Sequence, residues 1–454
     1  MKIRSLRSAV PMLLALATLA GLAAAGRTSR AAQDALPPNV LVLTIDTLRS
    51  DRLSSYGYER PTSPHLDRLL DRGVRFTEAR TVEPLTNPAL SSMLTALYPH
   101  EHGGTRNGLK MRLALDSLPK QLEDRGYQTA AFVGNWTLRD RLSGLGEHFE
   151  VYEEVLTKRR WFGLFKGEAD AADVTDRTLE WLETYGGRRR PYFLWAHDVD
   201  PHAPSVMHDA HAARLGLGRG KATKSDRYDT EVAYVDQHAG RLLQALEDDP
   251  RLARRTLVVF ASDHGESLGE HGYWGHGRNL YEPNLHIPMG FTWPGRIAPG
   301  TLDAPALLID VAPTVLGLLD LEVPEHFRGH DWSGVLTRAA AAPKDRATWF
   351  QAHKGAVLTD ESAPRVNGLM EVGLLVGGVK EILDVDDREA SRFDLRRDPE
   401  ELDDLHPDDG EPSDELMAWY EQVETGLEEA GTYPPPALDE ESVEKLKALG
   451  YTNR

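Results

Sequence analysis

Short runs of aliphatic and β-branched residues, each ending in polar residues, alternate along the chain with longer segments of amphipathic pattern. The runs are Asn39 to Ile45 (NVLVLTI), Gln128 to Val133, Tyr192 to Ala196 and Thr256 to Ser262. Unbroken apolar character over a short span is the mark of a strand buried on both faces, as in a parallel sheet. Between the runs, Pro64 to Asp71, Ser117 to Asp124, Ala171 to Thr184 and Ser225 to Glu247 read as helices. That alternation predicts an α/β fold: a mostly parallel sheet covered by helices on both faces, with ligands bound outside the carboxyl ends of the strands. Further on the texture changes. Gly368 to Leu383 with Ser391 to Leu395 predicts an antiparallel hairpin, Asp398 to Asp414 an acidic surface stretch, and Leu416 to Ala430 and Glu440 to Leu449 amphipathic helices. The chain therefore divides into a large α/β domain over 39–340 and a small C-terminal α+β subdomain over 341–454.

Ahead of the first strand, Lys2, Arg4 and Arg7 precede an apolar, Ala-rich stretch from Val10 to Ala25 that ends in small residues. Residues 1–26 read as a signal peptide and 27–38 as a linker, which implies a secreted or periplasmic protein. The alternative is an uncleaved N-terminal membrane anchor, and a membrane is a partner only in that case. A length of 454 residues allows a large core, and the 41% hydrophobic and 27% charged content is that of a globular protein. The formal net charge of −19, with no basic stripe to offset it, excludes nucleic acid as the main partner. An anionic substrate must then be held locally, by metal and hydrogen bonds. The chain has no cysteine, so no disulfide and no cysteine-derived chemistry is available.

Four separated stretches carry a resemblance. They are NVLVLTIDTLRSDRLSSYGYERPTSPHLDRLLDRGVRFTEAR, TNPALSSMLTALYPHEHG, FASDHGESLGEHGYWGHGRNLYE and SRFDLRRDPEELDDL, with LKALGY near the end. Together they resemble the sulfatase branch of the alkaline phosphatase superfamily, and the resemblance implies that superfamily's fold. In the sulfatase pattern a Cys or Ser is oxidised to formylglycine and is followed by Pro two residues on and Arg four residues on. Here those positions hold Thr86, Pro88 and Leu90. A threonine has no route to the formylglycine aldehyde, so the expectation is an ordinary hydroxyl nucleophile activated by a metal.

The resemblance implies that Asp46, Asp263 and His264 hold a divalent metal together with the Thr86 oxygen. Two carboxylates, an imidazole and a hydroxyl suit Mn, Zn, Ca or Mg. Thr86 is also a plausible helix N-cap before Pro88, a role compatible with the first. The family's lysine and histidine in a Gly-Lys-Trp-His stretch are replaced by Asn135 and Thr137, and a second family lysine by His276. Most of the cationic sulfate cradle is thus missing. One ion is expected, and a second is the alternative, with candidate ligands Asp198, Asp200, His202 and His276; the other reading has His197 and His202 hydrogen-bonding the substrate. Asn107 lies where superfamily phosphodiesterases place an asparagine that donates to a phosphoryl oxygen, and otherwise reads as a turn residue before Gly108.

The expected activity is ester hydrolysis through a covalent threonine intermediate, with Thr86, His202 and Asn107 as catalytic residues. Phosphate mono- or diesters stand ahead of sulfate esters, because the altered positions are those of formylglycine chemistry. Alternatives are a sulfuric ester hydrolase, a cell-envelope phosphotransferase and a non-catalytic anion-binding protein. The ester group expected is a small molecule, a glycan or a lipid head group.

Overall fold

The structure is a computed structural model. It describes residues 36–430 apart from 113, 158–166, 187–188, 218–221, 344, 356–362, 365–367 and 407–409, together with 432–433. Residues 1–26, the linker up to 35 and the expected helix at Glu440 to Leu449 lie outside the described residues.

Eight strands form the central sheet: β1 (Asn39–Ile45), β2 (Val74–Arg80), β3 (Gln128–Val133), β4 (Val151–Glu154), β5 (Tyr192–Asp198), β6 (Thr256–Ser262), β7 (Met289–Thr292) and β8 (Gly300–Leu307). Their spatial order is β8-β2-β7-β6-β1-β5-β3-β4. Every neighbouring pair is parallel except the two made by β7. A second sheet, of β9 (Thr348–His353), β10 (Leu369–Val376), β11 (Val379–Asp384) and β12 (Ala390–Asp394), is antiparallel throughout. The α/β class and the C-terminal antiparallel sheet follow the expectation.

The period of two along β1 explains why helices cover both faces. All seven β1 residues are buried. Val40 and Val42 turn to one core, shared with Ala89, Leu90, Met93 and Leu94 of α2 (Thr86–Thr95). Leu41, Leu43 and Ile45 turn to the other, against Leu66, Leu69 and Leu70 of α1 (Pro64–Asp71), Val174 and Trp181 of α3 (Ala171–Tyr185), and Val232, Val235 and Ala239 of α4 (Lys224–Glu247). A third core lies between the antiparallel sheet and α5 (Asp414–Ala430), whose Leu416, Trp419, Tyr420, Val423 and Leu427 fall on one helical face. No helix among the described residues is long and apolar enough to cross a membrane.

Buried charges tie the two sheets together. Arg80, at the end of β2, donates from Nε to both Glu282 carboxylate oxygens at 3.0 Å. Lys380 of β11, fully buried, donates to the Leu280 carbonyl at 2.7 Å and to Glu282 Oε1 at 2.9 Å, and pairs with Glu401. Burial alone would raise the Glu282 pKa, but Arg80 and Lys380 hold it far below the usual carboxylate range.

Candidate active site

β1 and β6 run side by side with Ile45 opposite Ser262, so the residues that follow them, Asp46 and Asp263, leave the sheet as neighbours. The turn after β1 is fixed from three sides. Thr47 takes a left-handed backbone conformation (φ 55°) and donates its N–H to Asp263 Oδ1 at 3.0 Å. The Ser262 hydroxyl accepts from the Leu48 N–H at 2.9 Å. The Tyr228 hydroxyl, from α4, donates to the Thr47 carbonyl at 2.6 Å and accepts from the Arg49 N–H at 3.0 Å. After His264 the chain must be glycine, because a Cβ at Gly265 would stand 2.0 Å from the Pro283 carbonyl oxygen.

Asp46, Asp263 and His264 are fully buried, and one ligand atom from each lies within 4.8 Å of the others. His264 Nδ1 faces the Gly265 carbonyl at 2.9 Å. A carbonyl can only accept, so Nδ1 carries the proton and Nε2 presents its lone pair. That nitrogen lies 3.8 Å from Asp46 Oδ1 and 3.5 Å from Asp263 Oδ2. Both oxygens are buried without a hydrogen-bond partner. Two unpartnered carboxylate oxygens, and an imidazole lone pair that meets the Thr86 hydroxyl at 3.4 Å, form a spacing that one divalent ion can bridge. The donor set therefore fits the expected metal.

Electrostatics agree. Burial pushes the Asp46 pKa well up, reinforced by the charges of Asp263 and Glu168. Burial also raises Asp263, to about 7, against the hydrogen bonds from Thr47 and His264. Burial and the neighbouring His276 push His264 well down, and burial alone takes His197 to about 3. Without a cation the fold strains to keep these carboxylates ionised; neutral imidazoles are the form that binds metals.

Thr86 opens α2 and brings its Oγ1 to 3.4 Å from His264 Nε2. Asn107 stands at the same helix start: its Oδ1 accepts from the Asn87 N–H at 3.1 Å, while its Nδ2 is buried without a partner. It therefore caps the helix rather than merely shaping a turn, and keeps a donor to spare. Asn135 donates to Asp46 Oδ2 and accepts from Thr137 N and Oγ1, each at 2.7 Å. Leu90, one turn along α2, packs into the hydrophobic core.

The second group of residues divides. Successive strand side chains face opposite ways. His197 shares a face with Thr44, its Nδ1 2.8 Å from Thr44 Oγ1, and its Nε2 lies 3.9 Å from Asp46 Oδ2. Asp198 turns to the other face, where Asp200 and Asp170 add to the effect of burial in raising its pKa. Asp200 Oδ2 accepts from the Ala171 N–H at 2.8 Å, at the start of α3. Strand alternation thus turns Asp198 away from the face of His197, and the start of α3 takes one oxygen of Asp200. Among the described residues, Asp46, Asp263 and His264 form the one group of three such side chains arranged for an ion. The histidines do converge, with the His276 ring centroid 4.5 Å from that of His264 and 5.1 Å from that of His202. Glu168 and Glu266 escaped the sequence reading. Glu266 Oε2 lies 3.3 Å from His276 Nδ1, and its place three residues after Asp263 was the available signal; Glu168 offered none.

Comparisons with known proteins bear on the whole arrangement. The family model described as Sulfatase matches residues 38–321, and one described as N-sulphoglucosamine sulphohydrolase, C-terminal, matches 269–429. The chain is 24% identical over 487 residues to an N-acetylglucosamine-6-O-sulfatase of Bacteroides thetaiotaomicron, covering 85% of this chain and 86% of that one. It is 27% identical over 429 residues to the steryl-sulfatase of Mus musculus, covering 69% and 67%. Similar solved structures include one in complex with its substrate D-glucosamine-2-N,6-O-disulfate, with a TM-score of 0.69 at 21% identity, covering 89% of this chain and all of that one. Another is a putative sulfatase from Bacteroides fragilis, with a TM-score of 0.66 at 22% identity, covering 87% and 96%.

Proposed function

Because the chain belongs to the sulfatase family, we propose that it is a metal-dependent ester hydrolase acting on sulfate esters, with Thr86 in the nucleophile's place. The observation that carries this reading is the gathering of Asp46, Asp263 and His264 beside the Thr86 hydroxyl. The relatives described above are named for sulfate esters, so the sulfuric-ester alternative fits better than the phosphoester preference drawn from the altered positions. Small-molecule or glycan esters are the substrate class that those names support.

A divalent ion held by the trio would supply Lewis-acid polarisation of the ester and of the attacking hydroxyl. The chain's own groups supply the rest. The Thr86 oxygen attacks sulfur, the bond to the leaving alcohol breaks with a proton passing to that alcohol, and water cleaves the threonine ester to free sulfate and restore the hydroxyl. Asn107 Nδ2 donates to a non-bridging oxygen, at a helix start whose N–H groups favour an anion. His197, His202 and His276 line the remaining approach. Asn135 steadies Asp46 through one oxygen and leaves the other for the ion.

One observation favours a second reading. The threonine and the absence of cations at Leu90 and Asn135 remove what formylglycine chemistry uses, which suits a phosphoester. Purified protein assayed on aryl sulfate, aryl phosphate and a phosphodiester, with Mn, Zn, Ca or Mg added, separates the two: sulfate turnover ahead of phosphate supports the main reading, and the reverse order supports the second. Thr86→Ala should lose at least about 10³-fold in kcat. Sulfate turnover that survives that change overturns the nucleophile assignment.

A further inference from the structure

Trp274 is the largest apolar side chain left at the surface among the described residues, 51% exposed. It lies on a short antiparallel hairpin, Ser267–Leu268 with Trp274–Gly275, two residues before His276. That hairpin is anchored to the site from both ends. Glu266, just before it, approaches His276, and the Tyr273 hydroxyl donates to the His276 carbonyl at 2.7 Å. The indole is seated by design of the turn. Gly269 has φ +119°, and a Cβ there would stand 2.8 Å from the ring, so the ring lies against bare backbone. Above it sits the ammonium of Lys224, 3.8 Å from the ring centroid. Lys224 is exposed and opens α4, the helix whose Tyr228 holds the turn after Asp46.

An exposed cation over an exposed indole adds little to a fold, and this pair stands on the hairpin that leads into His276. An ammonium in that place also stands against a chain of net charge −19. We propose that Trp274 and Lys224 form a subsite for an anionic sugar residue next to the one bearing the scissile ester. The apolar C–H face of the sugar stacks on the indole, and the ammonium swings from the ring to the sugar's sulfate or carboxylate. This subsite rests on the sulfate-ester reading above, and makes the substrate a glycan longer than one residue.

The test uses the full chain with divalent metal present. Binding of a sulfated glycosaminoglycan tetrasaccharide, and of the same tetrasaccharide stripped of sulfate, is measured by calorimetry at two salt concentrations. Trp274→Ala should weaken binding of the sulfated form by about tenfold or more, and Trp274→Phe should restore most of it. Lys224→Met should weaken binding and flatten its salt dependence. The form that shows the Lys224→Met loss identifies the anion as sulfate or carboxylate. In turnover, Trp274→Ala should lower kcat/KM on the tetrasaccharide about tenfold further than on 4-nitrophenyl sulfate. Unchanged binding in Trp274→Ala, a Lys224→Met loss with neither form, or no binding by the unaltered chain overturns the subsite. Tetrasaccharide binding without turnover of any sulfate ester would instead strike the proposed reaction and leave the subsite standing.

Discussion

Replacing Asp263 with Asn should make the metal-free protein more stable while abolishing its response to metal. The carboxylate is fully buried, and burial lifts its pKa from 3.8 to about 7 even though Thr47 and His264 donate to Oδ1. At about 1.4 kcal/mol per pH unit, holding this group as an anion at pH 8 costs the fold on the order of 4 kcal/mol. The sign follows from the direction. A pKa raised on folding leaves stability intact below 3.8 and withdraws it as the pH climbs to about 7. Asn keeps the acceptor for both N–H groups, sheds the charge, and can turn an amide toward the unpartnered Asp46 Oδ1. In EDTA at pH 8, urea denaturation followed by circular dichroism should show Asp263→Asn more stable by about 2–4 kcal/mol, with the difference nearly gone at pH 4. A saturating divalent ion, at about 100 times its Kd, should then stabilise the unaltered chain by roughly 2.7 kcal/mol and leave the variant unmoved. A variant weaker than the parent in EDTA at pH 8, or equally stabilised by the ion, would refute the argument that these acids are held in readiness for a cation.

Asn107→Asp keeps the acceptor for the Asn87 N–H but replaces the spare donor by an oxygen, so kcat on a sulfate ester should fall by roughly 10²–10³, and the buried new carboxylate should also lower the melting temperature; steady-state kinetics with undiminished kcat would remove Asn107 from the site. Lys380→Met strips the ammonium from between Glu282 and Glu401 and should cost about 3–5 kcal/mol in urea denaturation, because two buried carboxylates lose a shared partner. A loss below about 1 kcal/mol would show that the charges relax to solvent.

The sequence made the centre of the sheet legible and its margin obscure. β1, β3 and β6 match the expected spans because strands covered on both faces are unbroken apolar runs. β2 reads VRFTEAR and β8 reads GTLDAPAL; each is partly exposed, so polar residues interrupt the apolar signal. Three strands of the four-stranded sheet, and α5, were visible as a hairpin and an amphipathic helix, whereas β9 was not. In the site, Asp46, Asp263 and His264 were identifiable through the family resemblance, with their place directly after buried strands in support. Asp198 and Asp200 were not separable from His197 in sequence, since which residue of HDVD turns inward depends on strand phase. The role of Asn107 depended on where a helix 20 residues earlier begins, a tertiary fact. Trp274 gave no sign at all, because exposure is not written in a residue's identity.

The cluster of Arg80, Glu282, Lys380 and Glu401 sets a rule for anyone recombining such proteins. Trading the C-terminal sheet for one from a relative would swap out Lys380 and Glu401 while Arg80 and Glu282 stay behind. A graft lacking a cation at the equivalent spot would leave Glu282, six residues after His276, with half its neutralising partners. Chimaeras with altered substrate preference should therefore be chosen by whether the incoming sheet brings its own buried ammonium or guanidinium, before any loop is redesigned.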